Sequence, residues 1–283
     1  MFPETFEFHV ASHVNNGVDW LLQALAPTFD SISSGILTIL LGIENFLHII
    51  PWWIYIVVIA LLAWKATQRL STTITLPISI LFIGIFGLWD LAIGTLAVVI
   101  AAVFISLLIG IPLGILMAET KGVEPVMRPI LDAMQTMPSF VYLIPAMMFF
   151  GLGKVPAVLA TLIYSLPPVI RLTNLGLRQV PKPAQEAAIA YGATKWQLLK
   201  EVRVPLAMPT IMAGVNQTTM MALSMVVVAS MIGARGLGQE VLLSINRIDV
   251  GRGFEAGISI VIMAITIDRI TQGFAKKWDP IKR

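Results

Sequence analysis

The sequence predicts an all-α polytopic membrane protein, and three observations carry that prediction. The 283 residues are 57% hydrophobic and only 12% charged, with mean hydropathy +0.85; an ordinary soluble domain carries about twice that charge fraction. The apolar residues come in uninterrupted runs long enough to cross a bilayer, not only as amphipathic stripes. Those runs alternate with short polar intervals that hold most of the basic residues. One membrane domain follows, with no room for a separate soluble domain of ordinary size. The net charge of +3 calls for basic cytoplasmic loops rather than a nucleic-acid partner.

Residues 1–48 contain no Lys or Arg. The opening MFPETFEFHV lacks a basic n-region, so no cleavable signal peptide is expected. In 36–47, Ile36, Ile39, Leu40, Ile43 and Leu47 recur at helical spacing. This predicts an amphipathic helix lying on the membrane or packed on the bundle, with a first full span as the alternative. Residues 49–64 form the first expected span, with Trp52, Trp53 and Trp64 as interfacial anchors. Residues 70–89 form the second. The uncharged run 91–118 makes a helix of about 42 Å, longer than a hydrocarbon core, so it tilts or protrudes. Residues 119–132 read as a charged connection. Residues 133–153 read as a span interrupted by Pro138 and Pro145, whose freed backbone groups need protein or water partners; the stretch 135–145 is therefore expected to face the interior or a cavity. Residues 155–170, ended by Pro167-Pro168, then 205–234 and 256–275 complete seven spans.

Topology follows from the basic residues. Arg171, Arg178, Lys182, Lys195, Lys200 and Arg203 place the interval 183–204 in the cytoplasm. Counting outward puts the Lys/Arg-free N-terminus outside and the tail KKWDPIKR inside. Arg235, Arg247 and Arg252 fall outside, accompanied by Glu240, Asp249 and Glu255.

The interval between the fifth and sixth spans is the most structured polar stretch. Pro183 suits the first turn of a helix over 184–191, and Gly192 ends it. Thr194-Lys195-Trp196-Gln197 has the form of a capping box that starts a second helix, expected to run to about Val202 and stop at Pro205. The result is a compact two-helix knuckle, with Ala187, Ala188, Tyr191, Leu198 and Leu199 as its apolar surface.

Glu186-Ala187-Ala188, Gly192, Val202, Val204 and Pro205 match the EAA–x3–G–x9–I–x–L–P signature of permease subunits of ABC importers, with Val for Ile and Val for Leu. The resemblance covers about 91–275. Within it, LDAMQTMPSFVYLIPAMMFF and NQTTMMALSMVVVASMIGARGLGQEV resemble the glycine betaine/proline betaine branch. The resemblance implies the type I ABC importer permease (MetI-like) fold: about seven transmembrane helices plus the N-terminal amphipathic helix. It divides the chain into an extracytoplasmic or amphipathic segment 1–48, two peripheral helices in 49–89, a permease core 90–275 with a coupling helix at 183–204, and a basic cytoplasmic tail 276–283. The implied function is permeation of a compatible solute such as glycine betaine or proline betaine by alternating access. The alternatives are another small solute, such as an amino acid or other quaternary amine, or an ion-coupled secondary transporter.

The implied coupling residues are Glu186, Ala187, Ala188, Tyr191, Gly192, Ala193, Thr194, Trp196 and Pro205. The implied partners are cytoplasmic ABC ATPase subunits, which hold ATP and Mg, an extracytoplasmic substrate-binding protein, and a second copy of the chain. All act at a prokaryotic cell membrane, with no nucleic acid involved and no cofactor in this chain. The sequence agrees with that division of labour, because no G-x-x-x-x-G-K-[ST] occurs. The turn at 233–238, Gly-rich without a strand–helix context, reads as a tight extracytoplasmic turn. The chain lacks cysteine, and His9, His13 and His48 lie together near the N-terminus, so neither a metal cluster nor a Ser/His/Asp set is expected and no catalytic residue is assigned.

Polar side chains in apolar runs mark the candidates for the path or gate: Gln135, Thr136, Pro138, Tyr142, Asn216, Gln217, Thr218, Met221 and Ser224. Such groups are costly in a bilayer unless they face helices or water; interhelical hydrogen bonding is the competing role for each. Asp268 and Arg269 are expected to pair or to snorkel near the end of the last span.

Overall fold

The computed structural model describes residues 10–277; His9 and the tail beyond Lys277 lie outside the described residues. The described chain is helical throughout: α1 (Val10–Ala24), α2 (Ala26–Ile49), α3 (Trp52–Thr67), α4 (Leu70–Ile85), α5 (Trp89–Glu119), α6 (Val123–Thr136), α7 (Leu143–Phe150), α8 (Lys154–Arg178), α9 (Lys182–Ala190), α10 (Lys195–Gln197), α11 (Val204–Ala229), α12 (Leu237–Arg247) and α13 (Val250–Lys277).

The centre is a three-helix stack of α5, α8 and α11, and small residues set its spacing. Ser106, Gly110 and Gly114 recur every four residues along α5, the small-xxx-small pattern that lets helices approach in lipid. A methyl group on Gly114 would lie 2.6 Å from Thr173 Cβ and 2.8 Å from the Ile170 carbonyl oxygen. One level up, the Ser106 and Ser165 hydroxyls share a buried hydrogen bond of 3.2 Å. These pairings show that α5 and α8 run parallel. Gly176 meets Ala207 and Thr210, while Gly214 meets Val169 and Leu172, so α11 runs antiparallel to both. The packing carries α8 through Pro167 and Pro168, both buried. The span expected to end there instead continues to Arg178, because its neighbours on two sides hold the helix where its own hydrogen-bond ladder is interrupted.

The helices α3, α4 and α13 pack beside this stack. The end of the bundle that carries the α9–α10 connection is the knuckle end; the other is the far end. Helix α2 is 24 residues long and apolar enough to pass for a span, yet it touches the far end near its beginning and near its finish. Phe29 stacks on Phe149, with ring centres 4.9 Å apart. Glu44 receives the Lys154 ammonium at 2.5 Å, and His48 lies 4.0 Å from Asp90. Phe149, Lys154 and Asp90 all sit where their own helices reach the far end. A helix bound to one end at both its beginning and its finish lies across the bundle. These contacts are those of a helix packed on the bundle, while its length and apolarity are those of a span.

Among the described residues five helices, α2 included, are long and apolar enough to cross a membrane, and a sixth crossing is the bent pair α6 and Ser139–Phe150. With α2 set aside, α5, α8, α11, α13 and the bent pair remain, and the 16-residue apolar helices α3 and α4 occupy the places of the first two expected spans. Three boundaries differ from expectation. The charged connection 119–132 is mostly helix α6, held by an ion pair between Arg128 and Glu124 at 2.8 Å. The interrupted span is two helices bent by 107°. The polar stretch after Ala234 contains helix α12, and the last span begins at Val250.

Candidate functional site

The knuckle is built by a helix stop set directly against a helix start. At the end of α9, the Ala193 N–H donates to the Ala188 carbonyl at 3.0 Å and the Gly192 N–H to that of Ile189 at 2.9 Å. This is the Schellman closure, and it places Gly192 at φ +83°, a left-handed conformation that costs a side-chain-bearing residue about 1–2 kcal/mol. Two residues later Thr194 caps α10. Its hydroxyl accepts from the Gln197 N–H at 3.3 Å, and the Gln197 side chain accepts from the Thr194 N–H at 2.9 Å. The predicted capping box is present.

Beyond Gln197 the structure departs from expectation. The helix does not stop at Pro205. A wide π turn over Leu198–Arg203 joins α10 to α11, and the proline falls in the first turn of α11. There its missing N–H is tolerated, and the wide turn before it makes room for the ring. From Lys195 to Ile232 the chain is one 38-residue helical rod.

The apolar surface of the knuckle also differs. Leu199 turns inward against Leu177, Val180, Ala207 and Ile211, and Leu198 and Ala188 are half-buried. The outward apolar groups are Tyr191, 93% exposed, Trp196, 68% exposed, and Ile189, 56% exposed. Glu186, Ala187, Gly192, Thr194 and Pro205 are exposed with them, and Ala193 is half-buried. Three polar contacts fix the root. Arg203 pairs with Glu119 at the end of α5, donates to the Leu177 carbonyl at 3.4 Å, and Gln185 donates to the Val180 carbonyl at 2.9 Å. The aromatic tip is thus rigidly carried on the ends of three core helices.

The candidate path residues separate into three groups. Gln135, Thr136 and Pro138 at the bend, and Gln217 and Ser224 on α11, are exposed in the single chain; within 135–145, Tyr142 and Leu143 are buried while Phe140 and Ile144 are exposed. Tyr142 and Thr218 are buried, and Met221 is half-buried. Tyr142 is a brace: its hydroxyl donates to the Met134 carbonyl at 2.5 Å, satisfying a carbonyl left open where α6 ends at the bend. It packs in a cluster with Met225 and Ala229, so the bend adjoins α11. Asn216 belongs to an interhelical network, donating to Asp268 at 3.0 Å and accepting from Thr271. Asp268 also accepts from Gln272 at 2.7 Å. Of the two expected arrangements for Asp268 and Arg269, the unpaired one is seen: Arg269 is exposed, and the carboxylate is engaged by neutral amides on two sides.

Two further polar assemblies join residues of different helices, which no local pattern reveals. On the knuckle side Arg178 pairs with Glu124 at 2.5 Å, and Arg171 with Asp132 at 2.5 Å, clasping α6 to α8 around a cleft of about 530 Å³. At the far end Arg252 is held by Glu240 and Glu255, each at 3.2 Å, which offsets one of the cations that sat on the unexpected side of the charge count. The glycine-rich turn packs against α5: Leu237 N–H donates to Thr95 Oγ1 at 2.8 Å, and a methyl on Gly236 would meet that same oxygen at 2.5 Å.

The bundle thus carries, between α8 and α11, a helical knuckle with an exposed aromatic tip. Residues 110–280 match the family described as "Binding-protein-dependent transport system inner membrane component", and the chain belongs to that family. It is an integral multi-pass membrane protein and a transport subunit rather than an enzyme. It is 47% identical over 265 residues to the glycine betaine/proline betaine transport system permease protein ProW of Escherichia coli (strain K12), covering 94% of this chain and 75% of that protein. It is 46% identical over 268 residues to the glycine betaine transport system permease protein OpuAB of Bacillus subtilis (strain 168), covering 95% of each. Among solved structures, an inward-facing MetNI methionine ABC transporter aligns with TM-score 0.61 at 20% identity, covering 65% of this chain and 93% of that one, which shows the shared fold.

Proposed function

We propose that this chain is the permease subunit of an ATP-driven importer for a compatible solute such as glycine betaine or proline betaine. The two relatives above carry betaines in their names and match this chain over nearly its whole length. The observation that carries the coupling mechanism is the continuity of the rod from Lys195 to Ile232. A displacement at Trp196 passes through the π turn into α11 along one unbroken helix, and α11 contacts α5, α8 and α13. In this mechanism the tip seats in a groove of a cytoplasmic ATPase subunit, which binds ATP and Mg. Closure of two ATPases brings two knuckles together, and the bundle changes from inward-open to outward-open. An extracytoplasmic binding protein delivers the solute.

The complete permease contains a second copy of this chain. The exposed polar stripe of Gln217 and Ser224 along α11, and the exposed bend at Gln135–Pro138, face that copy or the solute between them, which removes the cost of presenting such groups to lipid. The knuckle end lies in the cytoplasm, and α2, the glycine-rich turn and α12 lie outside. Reporter fusions at the N-terminus test the orientation: an external signal is expected, and a cytoplasmic one rejects it. Uptake of labelled glycine betaine by cells lacking their own betaine carriers, supplied with this chain, its ATPase and its binding protein, tests the solute.

A further inference from the structure

At the knuckle end, away from the knuckle itself, the turn between α3 and α4 and the last turns of α13 enclose a pocket of about 280 Å³. Among the described residues Arg69, Arg269, Lys276 and Lys277 line it, and no carboxylate does. The fold builds this pocket by close contact. A methyl on Gly273 would lie 2.6 Å from Ala66 Cβ and 2.8 Å from the Ala66 carbonyl oxygen, so α13 sits directly on the end of α3. Gln68, at φ 52°, turns the chain, and the Thr67 and Thr72 hydroxyls bond across the turn at 2.6 Å. Arg69 then stands at the N-terminus of α4, where unpaired N–H groups add positive potential. Asp268, the carboxylate of α13 nearest in sequence, is already engaged by Asn216 and Gln272.

Four cations with no carboxylate among the described residues of the lining repel one another, and a bound anion relieves that repulsion. The surroundings say what carries the anion. Leu61, Trp64, Leu70 and Ile74, on the two helices that meet at the turn, are exposed, and Trp64 sits at the end of its helix as an interfacial tryptophan does. A basic pocket beside an apolar flank at a membrane surface suits a headgroup whose acyl chains lie along that flank. We infer that this pocket binds the phosphate-bearing headgroup of an anionic phospholipid, such as phosphatidylglycerol, in the leaflet on the knuckle side. Free phosphate shares the headgroup chemistry but makes no use of the apolar flank. The inference requires only that the bundle spans a membrane, and does not depend on the solute carried.

The test is native mass spectrometry of the full-length chain released from micelles containing equal phosphatidylglycerol and phosphatidylcholine. The wild-type chain is expected to retain phosphatidylglycerol preferentially. R69Q/R269Q/K276Q should weaken phosphatidylglycerol binding about a hundredfold, R69K/R269K should keep it, and R247Q at the far end should leave it unchanged. Excess inorganic phosphate should not displace the lipid. Equal retention of the two lipids, undiminished retention by the triple variant, or displacement by inorganic phosphate would each overturn the inference. Thermal midpoints monitor folding; if the triple variant does not fold, R69Q and R269Q singly must each lower occupancy, and no change in either overturns it as well.

Discussion

Gly192 holds the one backbone conformation on which the knuckle depends, and nothing lies within 4 Å of the position a Cβ would take there. Strain and surface effects can therefore be separated at this residue. Gly192→Ala should cost about 1 kcal/mol of local strain and still co-purify with the ATPase. Gly192→Asp adds a charge to the exposed tip; it should insert normally yet lose the ATPase on co-purification. Retention of the ATPase by Gly192→Asp would remove the docking assignment. Gly273 tests packing instead: Gly273→Ala should lower stability by about 1–3 kcal/mol, read as a lower thermal midpoint in detergent, because the Ala66 backbone has no room to yield. An unchanged midpoint would show that α13 is not seated on α3 as described.

At the scale of elements, α2 depends on a partner distant in sequence. The Glu44 and Lys154 side chains are 16% and 26% exposed, so removing either leaves a largely buried charge. Glu44→Ala and Lys154→Ala should each destabilise the protein by about 1–3 kcal/mol, with the double variant costing less than their sum; strict additivity in thermal unfolding would show that the pair does not hold α2. Local signals marked many elements correctly. The knuckle was legible because its information is local: a glycine for the left-handed turn, and a Thr and a Gln three residues apart for the cap. Proline was a poorer guide. Pro167-Pro168 and Pro205 signal stops in an isolated helix, but packing on two sides carries the first pair and a π turn accommodates the other. The lie of α2 was not decidable from its own sequence, since length and apolarity permit a crossing; Lys154 and Phe149, more than a hundred residues away, determine it.

For the whole molecule, the path is less legible than the knuckle. A polar residue in an apolar run is costly wherever it sits, and composition does not say whether a neighbouring helix or water answers that cost. Asn216 is answered by α13, Tyr142 by the carbonyl of Met134, while Gln217 and Ser224 face out of the single chain. The proposed function at this scale calls for a second copy and an external engine, coupled through the helix that runs from Lys195 to Ile232. The most direct test is solute accumulation in proteoliposomes that contain this chain, its ATPase and its binding protein, with ATP and an ion gradient supplied separately. The account predicts accumulation of glycine betaine with ATP and none with the gradient alone. Sustained accumulation on the ion gradient without ATP would contradict it.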